Sequence, residues 1–146
     1  MYPLDYSDVI LRLGIAVAFG AVIGLDRELR GKPAGLRTVA LVALGSAAFV
    51  MTALSAETGI PTDSTSRVIQ GIVTGIGFLG AGTIIRDQPD GSVKGLTTAA
   101  SVWLAAAGGV ASGLAQWPIV TGVALFGVLV LMLEPLEKWI KGRLAR

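Results

Sequence analysis

Gly95 to Leu133 reads GLTTAASVWLAAAGGVASGLAQWPIVTGVALFGVLVLML, 39 residues without a charged side chain. As one helix this run would be about 58 Å long, nearly twice the roughly 30 Å of a bilayer's hydrocarbon core. It must fold back on itself, and Gln116-Trp117-Pro118 marks the place. Proline disfavours helix in the residue before it, and tryptophan suits the membrane-water interface. The run therefore predicts two membrane helices, about 95–115 and 118–133, the second closed by Glu134-Pro135.

Working outward, Thr38 to Ala56 gives 19 uncharged residues and Val68 to Ile85 gives 18. These predict helices at about 36–56 and 67–85. A further helix, about 8–25, admits Arg12 near its outer end, where the long stem reaches back to the headgroups. The small-x-small pattern Ala16-Val17-Ala18 suggests a cleaved signal peptide, but the acidic Asp5 and Asp8 and the short apolar core before it speak against one. The expected fold is all-α: a polytopic membrane helix bundle of about five transmembrane helices over 1–133, with a tail at 134–146.

Composition agrees: 53% of the 146 residues are hydrophobic and 15% charged, against about a quarter charged in soluble domains. With no histidine and no cysteine, the usual zinc ligands, His-based catalytic triads and disulfides are all excluded. The formal charge of +2 and the scattered basic residues do not form a nucleic-acid footprint, so no nucleic-acid partner is expected. No catalytic residue, metal site or cofactor is expected either.

Charge also orients the chain. With the N-terminus outside, ten Lys and Arg side chains fall in cytoplasmic segments and only two, Arg12 and Arg67, outside. Cytoplasmic loops are enriched in these residues, so the expected topology is N-outside, C-inside. In the tail, Leu136, Trp139, Ile140 and Leu144 share one helical face, and Glu137, Lys138, Lys141 and Arg143 take the remainder. That is a basic amphipathic helix suited to the surface of the lipid bilayer.

Small residues let membrane helices pack closely. Gly20 and Gly24, Gly71 and Gly75, and Ala105, Gly109 and Gly113 recur at four-residue spacing, and Gly75 to Gly82 holds four glycines in eight residues. Gly71, Gly75, Gly77, Gly80 and Gly82 are expected to pack against neighbouring helices. The GxGxxG spacing within this run is not a nucleotide loop, because it begins inside a membrane-length apolar segment rather than after a strand.

Three polar groups are candidate sites. The first is Asp26, Arg27, Glu28 and Arg37, with Arg37 expected to pair with Asp26 or Glu28 and fix the first cytoplasmic loop. The second is Asp63, Arg67 and Gln70, with Asp63 a helix cap and the other two lining an outer vestibule. The third is Thr97, Thr98 and Ser101, where Thr97 and Ser101 share a face expected to meet the glycine helix.

Four blocks, Gly24-Leu-Asp-Arg-Glu28, Ala34-Gly-Leu-Arg-Thr38, Gly75-Ile-Gly-Phe-Leu-Gly-Ala-Gly82 and Gly95-Leu-Thr-Thr-Ala-Ala-Ser-Val-Trp103, closely resemble the MgtC/SapB family of bacterial inner-membrane proteins. The resemblance covers about residues 20–113. It implies a multi-pass protein of the bacterial inner membrane with a regulatory role in adaptation to low magnesium, in a family associated with virulence. It further implies action through membrane protein partners, among them the F-type ATP synthase; the small-residue faces themselves suit helix contact with a second copy or with another membrane protein. The alternative is a magnesium or other cation transporter. Against that alternative, all ten Asp and Glu side chains fall at helix ends, loops or tail rather than at mid-membrane, where a carboxylate magnesium site would need them. Two departures from the family are visible. Longer members carry a cytoplasmic C-terminal domain resembling an ACT domain, which this chain is expected to lack, and Val39 stands where the family frequently has histidine.

Overall fold

A computed structural model describes residues 5–55, 63–86 and 93–144 of the chain. The elements run α1 (Tyr6–Leu29), α2 (Leu36–Ser55), α3 (Asp63–Thr83), β1 (Ile85–Arg86), β2 (Val93–Lys94), α4 (Leu96–Gly113), α5 (Trp117–Leu131) and α6 (Glu134–Leu144). The strands form a two-residue antiparallel ladder, Ile85 opposite Lys94 and Arg86 opposite Val93, that joins α3 to α4. All other regular structure among the described residues is helical, so the fold is an all-α bundle.

The long uncharged run divides where its sequence says it should. The first half ends at Gly113 and the second begins at Trp117, with Pro118 in the opening turn, where its missing N–H is no loss. Other boundaries differ from the sequence expectation: α1 extends from Tyr6 to Leu29, and α3 starts at Asp63 and ends at Thr83. The expected second-helix end at Ala56 and the last two residues of the tail, 145–146, lie outside the described residues.

Among the described residues, four helical stretches are long and apolar enough to cross a membrane: Tyr6–Leu29, Leu36–Leu54, Leu96–Gly113 and Trp117–Leu136. The fifth, α3, has the length at 21 residues but not the apolarity, because Asp63, Arg67, Gln70 and its glycines dilute Val, Ile and Leu. Large apolar side chains such as Phe49, Phe78, Trp103, Leu125 and Phe126 are more than half exposed on the outside of the bundle. In water such a surface would aggregate; against lipid it is the normal exterior.

The core is the contact of α1, α2 and α4. Gly20 and Gly24 bring α1 onto the α2 backbone: a Cβ on Gly20 would stand 2.7 Å from Ala40 Cα, and one on Gly24 2.7 Å from Leu36 Cα. From the other side, Gly109 lies against the Ala43 carbonyl, and a Cβ on Gly113 would meet the Ala47 oxygen at 2.8 Å. Phe19 covers Gly108, filling the space between α1 and α4. Val39, Ala43 and Ala105 are fully buried here. Such backbone-level approach maximises dispersion contact, which holds helices together where lipid offers no hydrophobic drive.

The outer helices pack less closely. Gly127 of α5 sits under Leu104, and α3 rests one face, Ile76 and Ile72, on Val102 and Ala106 of α4. Of the five α3 glycines expected to pack, only Gly80 meets a neighbour, 3.5 Å from Ala99 Cβ. Cβ positions at Gly71, Gly75, Gly77 and Gly82 face open space. The expectation fails for those four within one chain because α3 touches the bundle along a single face, and the small residues that close the core belong to α1 and α4.

Candidate functional site

Arg12 and Arg27 mark the two ends of α1. Arg12 turns inward, donating to the Gly113 carbonyl at 2.8 Å and pairing with Asp8 at 2.8 Å, instead of reaching toward headgroups. The last carbonyls of α4 have no helical partner, and a cation there complements the helix dipole.

At the opposite end, Arg27 is buried to 3% exposure. It continues the inward stripe of α1, Ala16, Phe19, Gly20 and Ile23, at helical spacing. Its Nε and Nη2 donate to the Pro33 carbonyl, each at 3.3 Å, its Nη1 donates to Ser101 Oγ at 3.2 Å, and its Nη2 also donates to Thr98 Oγ1. Ser101 Oγ in turn donates to the Thr97 carbonyl at 2.8 Å. The guanidinium thus ties together the end of α1, the loop into α2 and the start of α4, all through neutral acceptors. Gly95 lets α4 begin there: it sits at φ +95°, and a side chain would collide with the Thr83 carbonyl.

The pairing expected of Arg37 does not form. Arg37 is exposed and makes no ion pair among the described residues. Asp26 instead pairs with Arg30, one turn on, at 2.8 Å, and that hydrogen bond raises the Arg30 pKa further above neutrality. Glu28 accepts from Leu36 N at 3.1 Å, satisfying a free N–H at the start of α2. Gly35 makes room for this, since a Cβ there would overlap the Glu28 carboxylate. Local spacing and the exposed helix end each claim a carboxylate before Arg37 can.

The other two groups also rearrange. Thr98 and Ser101, three apart, are the buried pair that meets α1; Thr97 is exposed, and α4 meets the glycine helix through Ala99, Val102 and Ala106. Asp63 is the first residue of α3, where a carboxylate faces unpaired N–H groups. Arg67 and Gln70 are exposed and do not converge on a vestibule.

One participant was not singled out from sequence. Glu134, at the start of α6, lies 3.1 Å from Lys32 Nζ and 3.6 Å from Arg30 Nη1, fastening the loop after α1 to the end of α5. An acid beside Pro135 reads as a helix stop, and only the fold brings it to the basic loop. Among the described residues, no three Asp, Glu, His or Cys side chains gather as metal ligands.

Apolar helices of membrane length, an apolar exterior and a glycine-closed core mark a membrane protein. The MgtC family model matches residues 13–139, and the chain belongs to that family. It is 44% identical over 124 residues to Protein SrpB of Synechococcus elongatus, covering 79% of this chain and 68% of that protein. It is 46% identical over 108 residues to Protein MgtC of Salmonella typhimurium, covering 74% of this chain and 44% of that protein, and 40% identical over 111 residues to Protein SapB of Bacillus subtilis, covering 73% and 47%. The chain therefore spans less than half the length of those last two relatives. No solved structure matches it.

Proposed function

We propose that this chain is a regulatory protein of the bacterial inner membrane, oriented N-outside and C-inside, that serves adaptation to low magnesium through helix contacts with other membrane proteins and not through catalysis. The observation that carries this reading is the closed core. Where α1, α2 and α4 meet, Gly20, Gly24, Gly109 and Gly113 leave no room for an added methyl group, far less a hydrated cation. Magnesium gives up its water reluctantly and is held by carboxylate oxygen, and the buried polar groups of this core are hydroxyls and one guanidinium. Meanwhile α3 presents most of its surface outward, as a helix that engages partners would. The F-type ATP synthase is the partner to which the family resemblance leads.

The test has two arms. Purified protein in liposomes is expected to give no magnesium uptake above empty vesicles, while the gene restores growth of a deletion strain in low magnesium. Uptake by the protein alone would replace regulation with transport.

A further inference from the structure

Between α2 and α3 an apolar groove of about 810 Å³ opens on the outside of the bundle. Its floor is Val42, Ile72 and Ile76, which pack onto Val102 and Ala106 of α4. One wall carries Leu41, Gly45 and Phe49, and the other Gly71, Gly75 and Leu79, each row at four-residue spacing. Cβ positions at these three glycines face open space, so nothing else in the chain fills the width they leave. The groove follows α2 from Thr38 to Phe49, about 17 Å, and α2 is long and apolar enough to cross a membrane, so the groove lies at lipid depth. Ser46, the hydroxyl at its middle, already donates to the Val42 carbonyl at 2.8 Å.

Each row begins with an arginine. Arg37 lies four residues before Leu41 and Arg67 four before Gly71, so each extends its row one turn beyond the groove. Both are exposed, and neither has an ion pair or hydrogen bond among the described residues. Glu28, near Arg37 in the fold, is held by Leu36 N, and Asp63, one turn before Arg67, faces the free N–H groups that open α3. The two helices run antiparallel: α4 follows α2, with Gly109 on Ala43 and Gly113 on Ala47, and opposes α3, with Gly80 on Ala99 and Ile76 on Val102. Because side chains tilt toward the N-terminus of their own helix, the two guanidiniums point to opposite faces of the membrane. Their stems reach the headgroups from there. We infer that the groove seats the acyl chains of anionic phospholipids, one from each leaflet, with their phosphates on Arg37 and Arg67. A cation at each end with hydrocarbon between is the complement of a bilayer of such lipids, whereas a protein helix would have to bring an acid to both ends. Neither regulation nor transport is presupposed.

Native mass spectrometry of the purified full chain in detergent tests this, with phosphatidylglycerol and phosphatidylcholine of identical acyl chains as probes. The chain is expected to retain phosphatidylglycerol in preference to phosphatidylcholine. Arg37→Gln and Arg67→Gln should each weaken one phosphatidylglycerol site about fivefold, the attraction of one basic residue for an anionic lipid surface. Gly75→Leu fills the groove and should weaken both lipids alike, whereas Gly77→Leu, equally open but outside the groove, should weaken neither. Both glycine variants should keep the helical circular dichroism of the parent, so that a lost lipid is not a lost fold. In the Gly75→Leu background Arg37→Gln should add less than twofold, because the phosphate no longer belongs to a seated chain. Equal retention of the two lipids, unchanged affinity in both arginine variants, or equal effects of Gly75→Leu and Gly77→Leu would each overturn the inference. So would a dimer of the chain that Gly75→Leu dissociates, which would assign the groove to a second copy, or displacement of phosphatidylglycerol by millimolar inorganic phosphate, which would leave an anion site without a lipid seat.

Discussion

Arg27→Met keeps an unbranched stem in the α1 core and removes every guanidinium donor. Four hydrogen bonds go, two to the Pro33 carbonyl and one each to Thr98 and Ser101. Ser101 retains its bond to the Thr97 carbonyl, and Thr98 can turn to a carbonyl of its own helix, so the lasting loss is the Pro33 oxygen, at about 1–3 kcal/mol. Lost charge-assisted bonds add roughly 1.5–3 kcal/mol each, and relief of the buried charge's desolvation offsets several kcal/mol of that total. The expected net destabilisation is about 1–3 kcal/mol. Thr98→Val strands an Nη2 hydrogen while the charge remains, at about 1–2 kcal/mol, yet in the Arg27→Met background it removes only a self-satisfied hydroxyl. A double-mutant cycle by reversible unfolding in detergent micelles should therefore show a coupling of about 1–2 kcal/mol. Additivity within about 0.5 kcal/mol would refute the claim that Arg27 joins α1 to α4.

Gly109→Ala should destabilise the bundle by about 1–3 kcal/mol through collision with the Ala43 carbonyl, whereas Gly77→Ala, facing open space, should leave the same micelle unfolding midpoint nearly unchanged. Gly35→Ala displaces the Glu28 carboxylate from Leu36 N, and because that side chain can swing aside, the loss is only the cap, about 1 kcal/mol; Glu28→Gln in the same background should then add little. Ala115 stands at φ 55°, where an L-residue is strained, so Ala115→Gly should be neutral or stabilising by up to about 0.5 kcal/mol despite the added flexibility of the unfolded chain.

What the sequence displays and what it conceals divide along physical lines. The break at Gln116-Trp117-Pro118 was legible because proline acts on its own neighbours, whatever surrounds it. Arg27 was legible as one of a group of charges, but not as the buried one. The signal was available: Ala16, Phe19, Gly20, Ile23 and Arg27 share one helical face, while Asp26 and Glu28 flank it and Arg30 follows the last helical residue. Thr97 against Thr98 could not be decided in that way, since a helix apolar all round gives no phase and only a neighbouring helix selects the inward side. The glycines illustrate the same limit. Their spacing shows that a close approach is sterically possible at Gly20 and Gly71 alike, but only the first is met by another backbone within the chain.

That α3 leans on α4, a helix that follows it in the chain, bears on how the protein is made. A segment holding Asp63, Arg67 and Gln70 enters lipid poorly on its own, and its apolar face finds its seat only when Val102 and Ala106 have been synthesised. The α1–α2 hairpin, by contrast, is complete once residue 55 has been added. Chains truncated after residue 86 and released into the membrane should therefore leave a cysteine placed at Val73 open to a water-soluble thiol reagent, and chains truncated after residue 131 should protect it. Biogenesis would then proceed in two stages, an early anchor followed by late retrieval of the reluctant third helix.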